Sequence, residues 1–295
     1  MVILVTGSNG LLGQKIVGQL LRANIDFVAT SLGENRNPAC PSDNYQSLDI
    51  TNSEDVEAVF NYVEPTIVIN TAAMTNVDAC EADEDNCRKI NVDAVALLFS
   101  ASQMFDAHFI HLSTDFVFDG EAGPYREMDK RNPLSIYAKS KVDSENLLMR
   151  SAYKKWAILR TIIVFGEGEN LSRSNIVLWA KSALRKGSPL TIVNDQFRAP
   201  TWADDLAWAC IQTGKTEAKG IMHISGPETI SIYELVIRIG KFYGLDTSIV
   251  QPISSYTLNQ KAKRPPRTGF VLNRAKSILG YNPKSLEESL ELLNN

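Results

Sequence analysis

Long apolar runs are missing from this chain. None approaches the roughly 20 residues that a membrane-spanning helix requires. The first apolar stretch, Met1 to Val5, is too short for a signal-peptide core and runs straight into a glycine-rich turn. Cysteine is scarce: Cys40, Cys80, Cys87 and Cys210 are scattered, with no Cys-x-x-Cys pair. That argues against a zinc site or a redox pair and leaves four reduced thiols in a cytoplasmic protein as the expectation. A shared metal site at His108 and His111 is not expected either, because residues three apart on a strand face opposite sides. Basic charge is not in surplus. Thirty Lys plus Arg stand against 34 Asp plus Glu, a net −4, so no broad positive field invites nucleic acid. Repeats and low-complexity tracts are absent too. What remains is ordinary globular composition, 44% hydrophobic and 22% charged, which excludes extended disorder.

The first half alternates short β-branched runs with longer helical patterns. Strands are predicted at 2–5, 27–30, 66–70 and 108–113, with helices at 11–22, 53–62 and somewhere within 83–105. Ser53 is the expected cap of the second helix. Continuous apolar strands joined by helical crossovers imply a parallel sheet buried on both faces, the doubly wound α/β class. A long loop spans 115–133, a helix runs from Pro133-Leu134-Ser135 to about Met149, and a strand covers 156–161. The last third reads as a smaller, partly interleaved unit. The division expected is a dinucleotide-binding domain over 1–165 plus about 190–220. A substrate-binding domain takes about 166–189 and 221–295.

Thr6-Gly7-Ser8-Asn9-Gly10-Leu11-Leu12-Gly13 joins the first strand to the first helix. Gly7 suits a tight turn, Gly10 a close approach to pyrophosphate, and Gly13 close packing of helix on strand. The helix N-terminus offers unpaired N–H groups to phosphate. These residues, Asn9, Leu11 and Leu12 included, form the candidate cofactor loop. At the end of the second strand Ser31 stands where a ribose-binding acid is expected. A hydroxyl there tolerates a 2′-phosphate, and Arg36 can pair with it. That favours NADPH and leaves NADH open, with Arg36 as a solvated charge and Glu34 on the ribose. Asp49 and Ile50 either flank the adenine or, for Asp49, cap the following helix.

Tyr137-Ala138-Lys139-Ser140-Lys141 places Tyr137 and Lys141 on one helical face. A tyrosine phenol ordinarily titrates at about 10, and a nearby ammonium favours its phenolate. Ser113-Thr114-Asp115 ends a buried strand, where open α/β sheets bind ligands. A hydroxyl there can hold a substrate carbonyl beside Tyr137. Asn175, Arg198 and Arg267, in the segment after Gly166, suit a substrate diphosphate, and Arg264-Pro265-Pro266-Arg267 either supplies charges to it or is a solvated loop.

Together with Asn70-Thr71-Ala72-Ala73, these motifs resemble the extended short-chain dehydrogenase/reductases. Within them the match is to the dTDP-4-dehydrorhamnose reductases. The stretches 73–81, 112–120 and 193–201 carry the similarity, which covers most of the chain. The resemblance implies a cofactor-dependent reduction of the C4 ketone of a nucleotide-linked 4-keto-6-deoxy sugar. Thr114, Tyr137 and Lys141 would form the catalytic triad. Tyr137 would protonate O4, Lys141 hold the nicotinamide ribose and tune Tyr137, and Thr114 orient the ketone. Ala72 and Ala73 would line the cofactor channel, and Thr75, Val77 and Asp115 the sugar pocket. One position departs from the pattern: Ile163 stands where some of these reductases place a tryptophan. The wall stays apolar but loses a stacking surface.

Three further readings stay open. A sugar epimerase of the same superfamily would suit an acid at the end of the second strand, where Ser31 stands. A 4,6-dehydratase would want an acid after Thr114-Asp115, where Phe116 stands. The regulatory subunit of methionine adenosyltransferase shares the fold, so a non-catalytic cofactor-binding role is the third. The partner expected is a nucleotide-sugar substrate, with no nucleic acid and no membrane, and a homodimer is allowed.

Overall fold

The computed structural model describes residues 1–258 and 261–293. Its first half alternates strand and helix: β1 (Ile3–Thr6), α1 (Leu11–Arg22), β2 (Phe27–Ser31), β3 (Tyr45–Ser47), α2 (Ser53–Val63) and β4 (Ile67–Asn70). Then come α3 (Val77–Ala82), α4 (Glu84–Arg88), α5 (Ala94–Met104), β5 (His108–Thr114), α6 (Ile136–Arg150) and β6 (Trp156–Thr161). The rest comprises β7 (Val164–Phe165), α7 (Ile176–Arg185), β8 (Leu190–Val193), β9 (Phe197–Arg198), β10 (Thr201–Trp202), α8 (Ala203–Lys215) and β11 (Gly220–Ile224). It closes with β12 (Ile230–Ser231), α9 (Ile232–Phe242), β13 (Val250–Ile253), α10 (Asn273–Leu279) and α11 (Leu286–Leu292).

Seven strands form one parallel sheet in the order β11-β6-β5-β4-β1-β2-β3. The apolar strands are buried on both faces because their side chains alternate between two cores. Ile3, Val5, Ile67, Ile69 and Ile110 face Ile16, Val17 and Leu20 of α1 and Leu206 of α8. Leu4, Val68, Phe109 and Ile158 face Phe60 of α2 and Leu98 and Phe99 of α5. The strand order reverses between β1 and β4, and that crevice is where doubly wound sheets bind ligands. A third core joins α7, β8, α9, β13 and α11 through Leu184, Ile192, Leu235, Val250 and Leu290.

Several expectations shift. Asn52, not Ser53, caps α2, its side chain accepting from the amides of Glu54 and Asp55. The long helix expected within 83–105 runs over α4 and α5, with one irregularity between them. Asp83 ends α3 and caps α4, and a π turn over Lys89–Asp93 precedes α5. That wide turn aims buried Asn91 inward, where its side chain bonds the Met74 backbone and the Ser140 hydroxyl. The domain limits move as well. β8 pairs with β13 in the C-terminal core, although 190–220 was expected to belong with the N-terminal body. β11 pairs with β6 at the edge of the large sheet rather than in the C-terminal unit.

Candidate active site

A cleft of about 590 Å³ opens at the carboxyl ends of β1, β4, β5 and β6. The turn after β1 forms one end. Gly7 has φ +71°, and a Cβ there would meet the Ala72 amide nitrogen at 2.7 Å. A Cβ on Gly13 would lie 2.4 Å from the Gly7 carbonyl oxygen, so α1 packs on the turn only through glycine. At Gly10 the contact is 3.3 Å and no other atom lies near, so that face opens to the cleft. No side chain caps α1 at Gly10, and the buried Ser8 hydroxyl lacks a partner. An uncapped helix start behind a glycine cradle fits a pyrophosphate, and thus a dinucleotide.

The cofactor residues expected from sequence separate here. Gly7, Asn9, Gly10, Leu11, Leu12, Gly13, Arg36 and Ala73 line the cleft. The Asn9 amide is engaged structurally: it donates to the Glu34 carbonyl (2.8 Å) and accepts from the Arg36 amide (2.8 Å), pinning the loop after β2 to the glycine turn. Ala72 backs Gly7 and does not itself line the cleft. Ser31, Asp49 and Ile50 are not brought to it either. The Ser31 carbonyl accepts from Tyr45 and Leu48. Asp49 accepts from the backbone and hydroxyl of Thr51, a local turn rather than the cap of α2. Ile50 packs on the second core.

Tyr137, Lys141 and Thr114 do meet in the cleft. The start of α6 is held at two points. Ser135 caps it through the Ala138 amide (3.2 Å), and Glu81 accepts from the Ile136 amide (2.7 Å). Glu81 therefore fixes the start of the helix that carries Tyr137 and Lys141. Further along α6, buried Glu145 accepts from Ser113 (2.6 Å), from Arg131 (2.9 Å) and from Arg160 of β6 (2.8 and 2.7 Å). These charges hold its carboxyl below the usual range despite burial. The cluster ties β5, α6 and β6 together directly behind Thr114.

Tyr137 is 9% exposed, edge-on to Phe116 and packed with Cys80 and Cys87. Burial pushes its phenol well above the ordinary tyrosine range. A hydrogen bond with Thr114 and the charge of Arg173 pull it down, and Asp115 and Cys80 push it up. The sequence suggested an ammonium from Lys141 drawing the phenol toward phenolate. Desolvation wins instead, because the ring sits in an apolar pocket. The outcome suits a proton donor, since the phenol stays protonated at neutral pH. Lys141 is 3% exposed, and burial lowers its ammonium to about 8, partly opposed by Glu145.

The residues expected to hold the substrate also divide. Thr75, Val77, Asp115 and Asn175 line the cleft. Asn175 doubles as the cap of α7 and donates to the Gly166 carbonyl (2.6 Å). Asp115 is buried and bonded to Thr114 (3.1 Å) and Thr268, with Arg198 at 3.6 Å. Arg198 is consumed structurally. It is 2% exposed and donates to the carbonyls of Phe197 (2.7 Å) and Pro265 (2.7 Å). Arg267 stacks on Phe197 at 4.8 Å, outside the cleft, and Arg264 pairs with Asp78 at 2.6 Å. None of these three arginines is presented to a ligand in the cleft. Ile163 does line it, with φ +31°, a conformation costing about 1–3 kcal/mol for a non-glycine residue. Arg173 also lines the cleft and bonds Thr75 across it. Sequence reading missed it, since a lone arginine between Ser172 and Ser174 forms no motif. Among the described residues no cluster of His, Cys, Asp and Glu could hold a metal ion, and no helix is long and apolar enough to cross a membrane.

A glycine-turn cleft facing a tyrosine–lysine pair at the carboxyl edge of a doubly wound sheet is the arrangement of the Rossmann-type reductases and epimerases. More narrowly, the chain belongs to the family described as the RmlD substrate binding domain, whose model matches residues 1–295. It is 31% identical to the dTDP-4-dehydrorhamnose reductase of Aggregatibacter actinomycetemcomitans, over 98% of this chain and 97% of that one. Methionine adenosyltransferase 2 subunit beta of Danio rerio is 30% identical, over 96% and 86% of the two chains. The structure of a dTDP-4-dehydrorhamnose reductase from Bacillus anthracis, in complex with NADP, superposes with a TM-score of 0.86. That pair shares 27% identity and covers 99% and 98% of the two chains. The family is thus one of sugar-nucleotide reductases that also holds a subunit of another enzyme, and a nicotinamide cofactor is its supported ligand.

Proposed function

We propose that this chain reduces the C4 ketone of a nucleotide-linked 4-keto-6-deoxy sugar with NADPH, converting dTDP-4-dehydro-L-rhamnose to dTDP-L-rhamnose. The observation that carries this reading is Tyr137. Its buried phenol stays protonated and sits with Thr114 and Lys141 in the same cleft as the glycine turn. A nicotinamide bound there supplies the hydride. The chain's residues do the rest. Thr114 and Tyr137 hold the ketone oxygen, and Tyr137 gives it a proton as negative charge develops. Lys141, one turn along α6, holds the ribose hydroxyls. Thr75, Val77 and Ile163, which line the cleft, wall the sugar. Arg36, at the rim beside the glycine turn, supports NADPH over NADH as the partner of a 2′-phosphate.

The likeness to methionine adenosyltransferase 2 subunit beta favours a second reading, a regulatory subunit that binds cofactor without turnover. Purified chain, with no other protein present, separates the two. Oxidation of NADPH with a nucleotide 4-keto sugar supports the reductase. No turnover across a panel of such sugars, together with tight NADPH binding, supports the regulatory subunit.

A further inference from the structure

The cleft has to meet an anion if the substrate carries a diphosphate, and few cations are placed to do so. Among the described residues its lining holds three: Arg36, Lys141 and Arg173. Arg36 sits beside the glycine turn, bracketed by its Asn9 contact, at the cofactor end. Lys141 is buried one turn from Tyr137. The arginines expected for the diphosphate are engaged elsewhere: Arg198 on backbone carbonyls and Asp115, Arg264 on Asp78, and Arg267 on the Phe197 ring. Arg173 alone is an exposed residue that lines the cleft beside Thr75, at the end expected to hold the sugar. It comes from the segment before α7 and reaches across the cleft to the Thr75 hydroxyl, 98 residues away in sequence. It is close enough to Tyr137 for its charge to be felt at the phenol.

We infer that Arg173 is the residue that recognises the substrate's diphosphate, leaving Thr75 to grip it while the sugar rests against Tyr137. This rests on the nucleotide-sugar reading above. The exchange is favourable in kind. A neutral hydroxyl partner is replaced by an anion whose oxygens accept two parallel N–H bonds from the guanidinium. Thr75 is released by the same movement to face the sugar. Arg173 thereby links recognition of the remote nucleotide to completion of the sugar pocket, so binding energy from the diphosphate is spent on orienting the ketone.

Calorimetric titration of the purified protein with dTDP and with thymidine tests the inference. Arg173→Gln should weaken dTDP binding about tenfold or more, the worth of one charged hydrogen bond, and leave thymidine binding unchanged. Arg173→Lys should retain part of the loss-sensitive affinity, because it keeps the charge without the fork. Arg267→Gln should bind dTDP like the unaltered protein. An unchanged melting temperature for Arg173→Gln, whose side chain is exposed, separates lost recognition from lost folding. Unaltered dTDP affinity in Arg173→Gln, with dTDP still bound by the parent protein, overturns the inference alone. Failure of the parent protein to bind dTDP at all overturns the nucleotide-sugar reading and the inference with it.

Discussion

Tyr137→Phe is expected to lower kcat by about 10²-fold or more, the usual worth of a positioned general acid, while cofactor affinity survives. The substitution removes one oxygen from a ring held by Phe116, Cys80 and Cys87, so the pocket keeps its shape. Only the proton donor and its bond with Thr114 are lost. The pH profile of the unaltered protein gives an independent check. Burial raises the Tyr137 phenol, so it remains a donor through the neutral and mildly alkaline range. Lys141, lowered by burial to about 8, keeps its ammonium below that pH and loses it above. Steady-state kcat/KM should therefore fall as pH rises through about 8, and Lys141→Arg, whose charge persists, should remove that limb. Near-normal turnover by Tyr137→Phe would remove the tyrosine from the chemistry.

Glu145→Gln should destabilise the fold by about 3–5 kcal/mol, the cost of breaking a buried ion pair from one side. Arg160 is the largest fully buried side chain in the described residues, 1% exposed, and its charge is matched by this carboxylate at 2.7 Å. Glutamine can still accept hydrogen bonds but leaves Arg160 without a counter-charge in a dry interior. The Ser113 hydroxyl also loses a charged acceptor, and Ser113 neighbours Thr114, so activity should fall alongside stability. Urea unfolding with an unchanged slope and a lowered midpoint is the expected result. A loss under about 1 kcal/mol would mean that water reaches this cluster and screens it.

The parts of the site that sequence revealed are the local ones. Gly7, Gly10 and Gly13 announce themselves because their backbone demands lie within seven residues of each other. Tyr137 and Lys141 do so because helix geometry alone puts i and i+4 on one face. The parallel sheet was visible in its continuous apolar strands. What stayed hidden depends on residues far apart in the chain. Nothing near Glu145 foretells its partners Arg131 and Arg160. Arg198 read as a diphosphate ligand because arginine suits phosphate, yet its neighbours in space are the carbonyls of Phe197 and Pro265. The short helix α3 before Asp83 was not foreseen, and the π turn at Lys89–Asp93 leaves no mark in the local pattern. Ile163 carries no sign of its positive φ, and the pairing of β8 with β13 needs strands that lie 60 residues apart. Arg173 belongs to the same class, since its meaning comes from Thr75 across the cleft.

The most direct test of the account is a comparison of kcat/KM for dTDP-4-dehydro-L-rhamnose and for the free 4-keto-6-deoxy sugar, with NADPH and the purified chain. Remote binding energy should position the ketone against Tyr137. The nucleotide-linked substrate should therefore be reduced far faster, with the loss for the free sugar falling on kcat as well as on KM. Equal kcat/KM for the two would contradict the nucleotide-sugar assignment and reduce the chain to a general carbonyl reductase.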